Sequence, residues 1–239
     1  MSSPEADRCW ICRVNEANAG EHLIKHSDLK AVFGPARSQR FYFHDLERPN
    51  REVQSLRSKL LHSPVLICAD CNNRRTQPHD RAWEAMSDWL RRREPPIRVG
   101  DFVRSNRIFR YDTKRKMRDV HLYFLKQLGG LVIESKGSIP IDITPIADSI
   151  MNNRAHPEVY LQFGKGDGTV GRLVKALKLE TGQVLTCLFY RVGLLTVNVI
   201  FAQAGANWEA LSTTWHPRRG SNRFILADFQ WGKARDPEE

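Results

Sequence analysis

A chain of 239 residues fits one large domain or two small ones, and its 41% hydrophobic share excludes wholesale disorder. Thirty-seven Lys+Arg outnumber 27 Asp+Glu, for a formal charge of +10 with histidine neutral. Residues 1–120 carry 24 basic and 16 acidic side chains, residues 121–239 carry 13 and 11, so a polyanionic partner is expected mainly of the first half.

In chain order, residues 9–12 form a first Cys-x-x-Cys knuckle, and residues 21–24 read as a short strand after Gly20. Residues 51–62 place Val53, Leu56, Leu60 and Leu61 at helical spacing. Residues 65–67 read as a strand entering a second knuckle at 68–71. A helix is predicted over 78–93, with Pro78 in its first turn and Ala82, Trp83, Met86, Trp89 and Leu90 as its apolar stripe. Glu94, Pro95 and Pro96 stop it. A second helix is predicted over 112–128, with Gly129 and Gly130 as its stop. Strands follow at 130–134, 139–143, 159–163, 169–179, 184–192, 194–202 and 224–231, with a short helix at 146–152 and turns at 164–168 and 181–182. The most apolar stretch, 184–202, holds Arg191 and Gly193 at its centre and reads as two strands and a turn, not a membrane span. The first ten residues lack an apolar signal core, so the expected compartment is a reducing cytoplasm.

The five cysteines are Cys9, Cys12, Cys68, Cys71 and Cys187. Four of them make two Cys-x-x-Cys pairs, which in a reducing compartment read as metal knuckles before disulfides. Two knuckles supply a tetrahedral four-thiolate zinc site with no open position, so this zinc is expected to be structural. Cys187 lies in an apolar run and reads as a small hydrophobe.

Such a zinc draws Glu21-His22 and the run Asn72, Asn73, Arg74, Arg75 into one module. Glu21 and Asn72 each offer an oxygen to a hard cation such as Mg2+, and His22 can accept a proton from an attacking water. Asn73 competes with Asn72 as the ligand. His79 reads as a site residue or a solvated helix start, and Asp80 as a charge favourable to the helix dipole.

Cys9-x-x-Cys12, Glu21-His22, Cys68-x-x-Cys71-Asn72 and Arg75 together resemble the HNH endonucleases over about residues 9–90. The resemblance implies a zinc-braced ββα-metal finger, His22 as general base, Glu21 and Asn72 as Mg2+ or Mn2+ ligands, and hydrolysis of nucleic-acid backbones. Three features depart from the family pattern. The acid is Glu21 where Asp is commoner, Ser63 stands at the usual middle Asn, and the gap between His22 and Cys68 is long. His62 and Ser63 are the candidates for bracing the base. An insertion at 34–62 carries Arg37, Arg40, Arg48, Arg51 and Arg57.

The division expected is an HNH nuclease domain at 1–94, a basic linker at 95–111 and an accessory α+β domain with an antiparallel sheet at 112–239. Arg74, Arg91, Arg92 and Arg93 are the expected DNA-backbone contacts, followed by Arg98, Arg104, Arg107, Arg110, Lys114, Arg115, Lys116 and Arg118. Phe102, Phe109 and Tyr111 interleave these charges. Trp208 and Trp215 mark a polar and aromatic loop, and the second half could dimerise, bind DNA or receive a protein partner. The expected activity is metal-dependent DNA hydrolysis, the rival a non-catalytic zinc-braced nucleic-acid binder or a nuclease gated by a partner.

Overall fold

A computed structural model describes residues 7–34, 41–43, 51–166, 168, 170–178, 184–204, 211–219 and 222–228. It is a mixed α+β architecture with antiparallel sheets. Arg37, Arg40, Arg48, Trp208, the turn expected at 181–182 and the end of the strand expected at 224–231 lie outside the described residues.

Helix α1 (His26–Phe33) follows the Glu21-His22 segment. The helix expected over 51–62 does not form. Its apolar spacing is used instead by strand β2 (Arg51–Val53), which pairs antiparallel with β1 (Phe41–Phe43), and by a 3-10 turn at Lys59–Leu61. Ser58 accepts from Leu60 N at the start of that turn, and Val53 and Leu61 become buried through separate elements.

Helix α2 (Gln77–Arg92) matches its predicted span to one residue at each end. Pro78 tolerates the first turn because its missing N–H has no intrahelical partner there. Ala82, Trp83, Met86 and Leu90 of the stripe are buried, and Trp89 is half-buried at its edge. Within 95–111 the chain forms β3 (Phe102–Arg104) and the single-turn helix α3 (Ser105–Ile108).

Helix α4 (Thr113–Glu134) runs past both glycines, so the stop at Gly129-Gly130 and the strand at 130–134 are overturned. The Trp10 indole lies only 2.4 Å from where a Cβ on Gly129 would stand. Gly129 therefore admits an aromatic ring from the first knuckle, and its backbone stays helical. Residues 139–143 form no strand, and the short helix is α5 (Ile143–Met151), capped by Asp142, which accepts from Thr144 N at 2.9 Å.

The main sheet contains β4 (Val159–Lys165), β5 (Val170–Lys178), β6 (Val184–Val192), β7 (Leu195–Ala202) and β9 (Ala227–Asp228), in the order β5-β6-β7-β4-β9. Its neighbours are antiparallel except β4 with β9. A second small sheet pairs β3 with β8 (Arg223–Ile225). Gly193, at φ +66, makes the tight turn between β6 and β7 that suits a residue without Cβ. All eight residues of β7 are buried, the polar Thr196 and Asn198 among them, and Asn198 Nδ2 donates to Gln162 Oε1 of β4 at 2.7 Å.

Helices α2 and α4 pack against one another and against β7. Trp83 meets the Phe124 ring at 4.7 Å, and Phe124 meets Tyr190 of β6 at 5.4 Å, both edge-on. Fully burying a side chain of this size contributes roughly 1.5–3 kcal/mol. In the same core the fully buried Asp28 carboxylate accepts from Trp83 Nε1 (2.7 Å), Ser87 Oγ (2.8 Å), Tyr190 OH (2.9 Å) and Arg91 (2.7 Å). A buried charge is tolerated only with such saturation. One continuous buried cluster extends from Cys9 to Leu226, through both 1–94 and 112–239. Among the described residues no helix is long and apolar enough to cross a membrane.

Candidate metal centre and active site

Each cysteine knuckle is shaped by its own backbone. Cys9 N donates to Asn15 O at 2.8 Å, and Arg13 N returns to Cys9 O at 2.7 Å, with Arg13 at φ +59. In the second knuckle Cys71 N points at Cys68 Sγ, 3.3 Å away. The Sγ atoms of Cys9, Cys12, Cys68 and Cys71 all lie within 4.8 Å of one another, with Cys12 and Cys68 at 3.7 Å. A tetrahedral ion at the usual Zn–S distance needs sulfurs about 3.8 Å apart. These residues therefore fit a metal such as zinc.

Asn15 Nδ2 also approaches Cys68 Sγ, at 3.7 Å, in the manner of groups that orient metal ligands from outside. Burial works against the Cys12 thiolate, but N–H groups of Asn15 and Val14 and the adjacent sulfurs outweigh it and bring the thiol down to about 7. Burial raises Cys9 and Cys71. Cys187 is half-buried, with its thiol pushed up by desolvation.

The second knuckle continues through a wide helical turn at Cys71–Arg75 into α2. Its approach is fastened to the Glu21-His22 segment by Leu23 N to Leu61 O (2.8 Å), Ser63 N to Glu21 O (2.7 Å) and a reciprocal pair between Ala19 and Ile67 (2.8 and 3.0 Å). Among the described residues these are isolated bridges at His22–His62 and Ala19–Ile67, so the strands expected at 21–24 and 65–67 are reduced to single contacts. Asn72 Nδ2 adds a bond to Gly20 O at 3.2 Å, which ties the start of the turn to the segment just before Glu21 and His22.

This stitching gathers Glu21, His22, Asn72 and Asn73 around one open cavity of about 420 Å3. Lys25, His26, Asp80 and Glu84 share its wall, as does Tyr123 of α4. The His22 ring packs against His62 at 4.1 Å and His26 at 5.6 Å. Burial first, then electrostatic repulsion from the nearby His62, His26 and Lys25, holds its pKa down to about 4, so the ring is neutral near pH 7 and able to accept a proton.

Lys126, from the middle of α4, does not line this cavity but pairs with two carboxylates of its wall, Glu21 and Asp80. Its side chain is only 3% exposed and its ammonium stands 3.2 Å from Glu21 Oε1 and 3.0 Å from Asp80 Oδ1. It also donates to Thr76 Oγ1 at 3.1 Å. Burial opposes this charge, but the two carboxylates outweigh burial and raise the lysine pKa. Glu21 is raised too, by burial first, with Lys126 opposing and Asp80 adding to the rise. Asp80 lies in the first turn of α2, as expected of a charge favourable to the helix dipole, and is also the counter-charge of a buried lysine. Sequence spacing gives no sign of Lys126, because its partners come from distant segments.

The other expected site residues are spread out. His79 is buried away from the cavity wall with Nε2 3.2 Å from Asn153 Oδ1, neither solvated nor facing His22. Arg75 reaches Met151 O at 3.4 Å. Arg74 pairs with Asp70 (2.6 Å) and Arg92 with Asp88 (2.8 Å), both arginines well exposed. Arg93 is held by Asp101 at 2.9 Å. Arg91 turns inward to Asp28, so Arg91, Arg92 and Arg93 do not form one solvated basic face. Among the described residues the four-cysteine group is the one set of three or more His, Cys, Asp or Glu close enough to hold an ion. No protein-family model matches this chain, and neither a curated protein nor a solved structure matches it.

Proposed function

We propose that the chain is a metal-dependent endonuclease of the HNH type that hydrolyses DNA phosphodiester bonds in a reducing cytoplasm. The supporting observation is the convergence of Glu21, His22 and Asn72 on one open cavity beside the four-cysteine cluster. The finger of this reading is the bridged segments 19–24 and 61–67 followed by α2.

Glu21 and Asn72 would hold Mg2+ or Mn2+ through oxygen, a donor set suited to a hard cation that keeps most of its waters. Such an ion supplies charge stabilisation on the phosphate and the leaving 3′ oxygen. The neutral His22 ring takes the proton of the attacking water as its oxygen bonds to phosphorus and the P–O3′ bond breaks. Lys126 holds the Glu21 carboxylate in place from beneath. The four cysteines would hold Zn2+ as a brace, with no open ligand position for chemistry.

One observation favours the rival, a non-catalytic zinc-braced nucleic-acid binder: the Glu21 carboxylate is already engaged by an internal cation. Nicking of supercoiled plasmid by the full chain in Mg2+, Mn2+ or EDTA separates the two. The nuclease reading expects nicking with either divalent ion and none in EDTA. Undiminished DNA binding with no nicking in either ion supports the rival.

A further inference from the structure

The N-terminus of α4 lies about 18 Å along the helix from Lys126, taking 1.5 Å per residue from Lys114. Asp112, the residue before the helix, supplies no side-chain cap, and the first turn contains no acid. Lys114, Arg115 and Lys116 occupy that turn instead, against the sense of the helix dipole. Unsatisfied N–H groups and cations of one sign thus converge.

A cleft of about 290 Å3 opens at this point, with Ser105, Thr113, Lys114, Trp215, Arg218 and Asn222 in its wall. Its described lining holds no carboxylate. Asp112, which pairs with Arg115, lines the adjoining cleft. Ser105 is only 1% exposed, and its hydroxyl is buried with no partner among the described residues. An orphaned buried hydroxyl calls for an explanation. Its own N–H is spent on Asn222 O at 2.7 Å, which fixes the serine against the cleft wall.

We propose that this cleft is a binding site for a phosphate group, held by the Ser105 hydroxyl, the first-turn N–H groups of α4, and the Lys114 and Arg218 side chains. Helix N-termini favour phosphate through aligned N–H donors, and the two cations add charge-assisted bonds. The chemistry is the same for a free phosphate and for a backbone phosphate of nucleic acid. It requires no hydrolysis at His22.

The test is titration of the full, zinc-loaded chain with inorganic phosphate, followed by backbone amide NMR at constant ionic strength set with chloride. Saturable shifts centred on Thr113, Lys114 and Arg115 are expected. Ser105→Ala should weaken the affinity about tenfold or more, since a bond to a charged group is lost. Lys114→Gln with Arg218→Gln, both at exposed positions, should abolish saturation while the thermal unfolding curve stays in place. A short DNA duplex that displaces phosphate from these amides assigns the group to a nucleic-acid backbone. One that binds without displacing it assigns the site to free phosphate. Either result upholds the site. Linear shifts without saturation, or equal affinity in wild type and both variants, would overturn it. Plasmid nicking tests the endonuclease reading separately, so either can fail alone.

Discussion

Lys126 is where the charge of the two halves of the chain is balanced. One buried ammonium serves Glu21 and Asp80, and removing it leaves Glu21 without this cation and Asp80 with Lys25, 3.7 Å away. Breaking a buried ion pair from one side costs about 3–5 kcal/mol. Lys126→Met should therefore lower the urea midpoint strongly, and combining it with Glu21→Gln should recover part of the loss. A midpoint unchanged in the single variant would show that the charges are solvated after all. The buried histidines make a second prediction at this scale. Burial holds His121 down to about 3 and His156 to about 4, against the weaker opposing pull of Val159 O on His121 and of Glu158 on His156. An unfolded histidine takes up its proton near pH 6.5, so between that pH and the folded values the unfolded chain binds more protons. Stability from these groups is complete above about pH 6.5 and falls as pH drops, by roughly 1.4 kcal/mol per pH unit for each group. Urea unfolding at about pH 7 and pH 5 should show the loss, and His121→Phe should reduce it.

Helix α4 joins the elements. Trp10 of the first knuckle lies on Gly129, Tyr123 and Gln127 reach the cavity, and the first turn opens the phosphate cleft. Gly129→Ala raises intrinsic helix propensity by up to about 1 kcal/mol, yet the new methyl would stand 2.4 Å from the indole. Overpacking of this kind costs about 1–3 kcal/mol, so the variant should melt lower and shift Trp10 fluorescence. A rise in melting temperature would show that the ring moves aside freely. The same glycine explains one misreading of the sequence: beside Gly130 it reads as a helix stop, and nothing local reveals an indole from residue 10. Residues 51–62 misread for a related cause, since their spacing suits a helix while pairing with 41–43 claims the first three. The α2 stripe and the strand at 159–163 were legible because the apolar residues of each are buried by their own element's packing. The cysteine knuckles were legible from spacing alone. The roles of Lys126, Asp80 and Arg91 were not, because each depends on a partner from another segment.

For the whole molecule, the four-cysteine cluster brings residues 9–12 against the chain just before α2. Zinc bound there is folding energy as well as geometry. Metal analysis should find about one zinc per chain, retained in mild EDTA. Strong chelation should lower the melting temperature, and Cys68→Ser should lose the metal and destabilise the fold together. Normal folding and full zinc content in that variant would refute the assignment. Single-turnover cleavage of plasmid DNA at saturating Mg2+, comparing wild type with His22→Ala at equal zinc content, tests whether His22 is the base of a phosphodiester hydrolase. General-base catalysis is commonly worth roughly 10²–10⁴, so the variant's rate should be at least about 100-fold lower with DNA binding retained. A variant rate within a few-fold of wild type would contradict it.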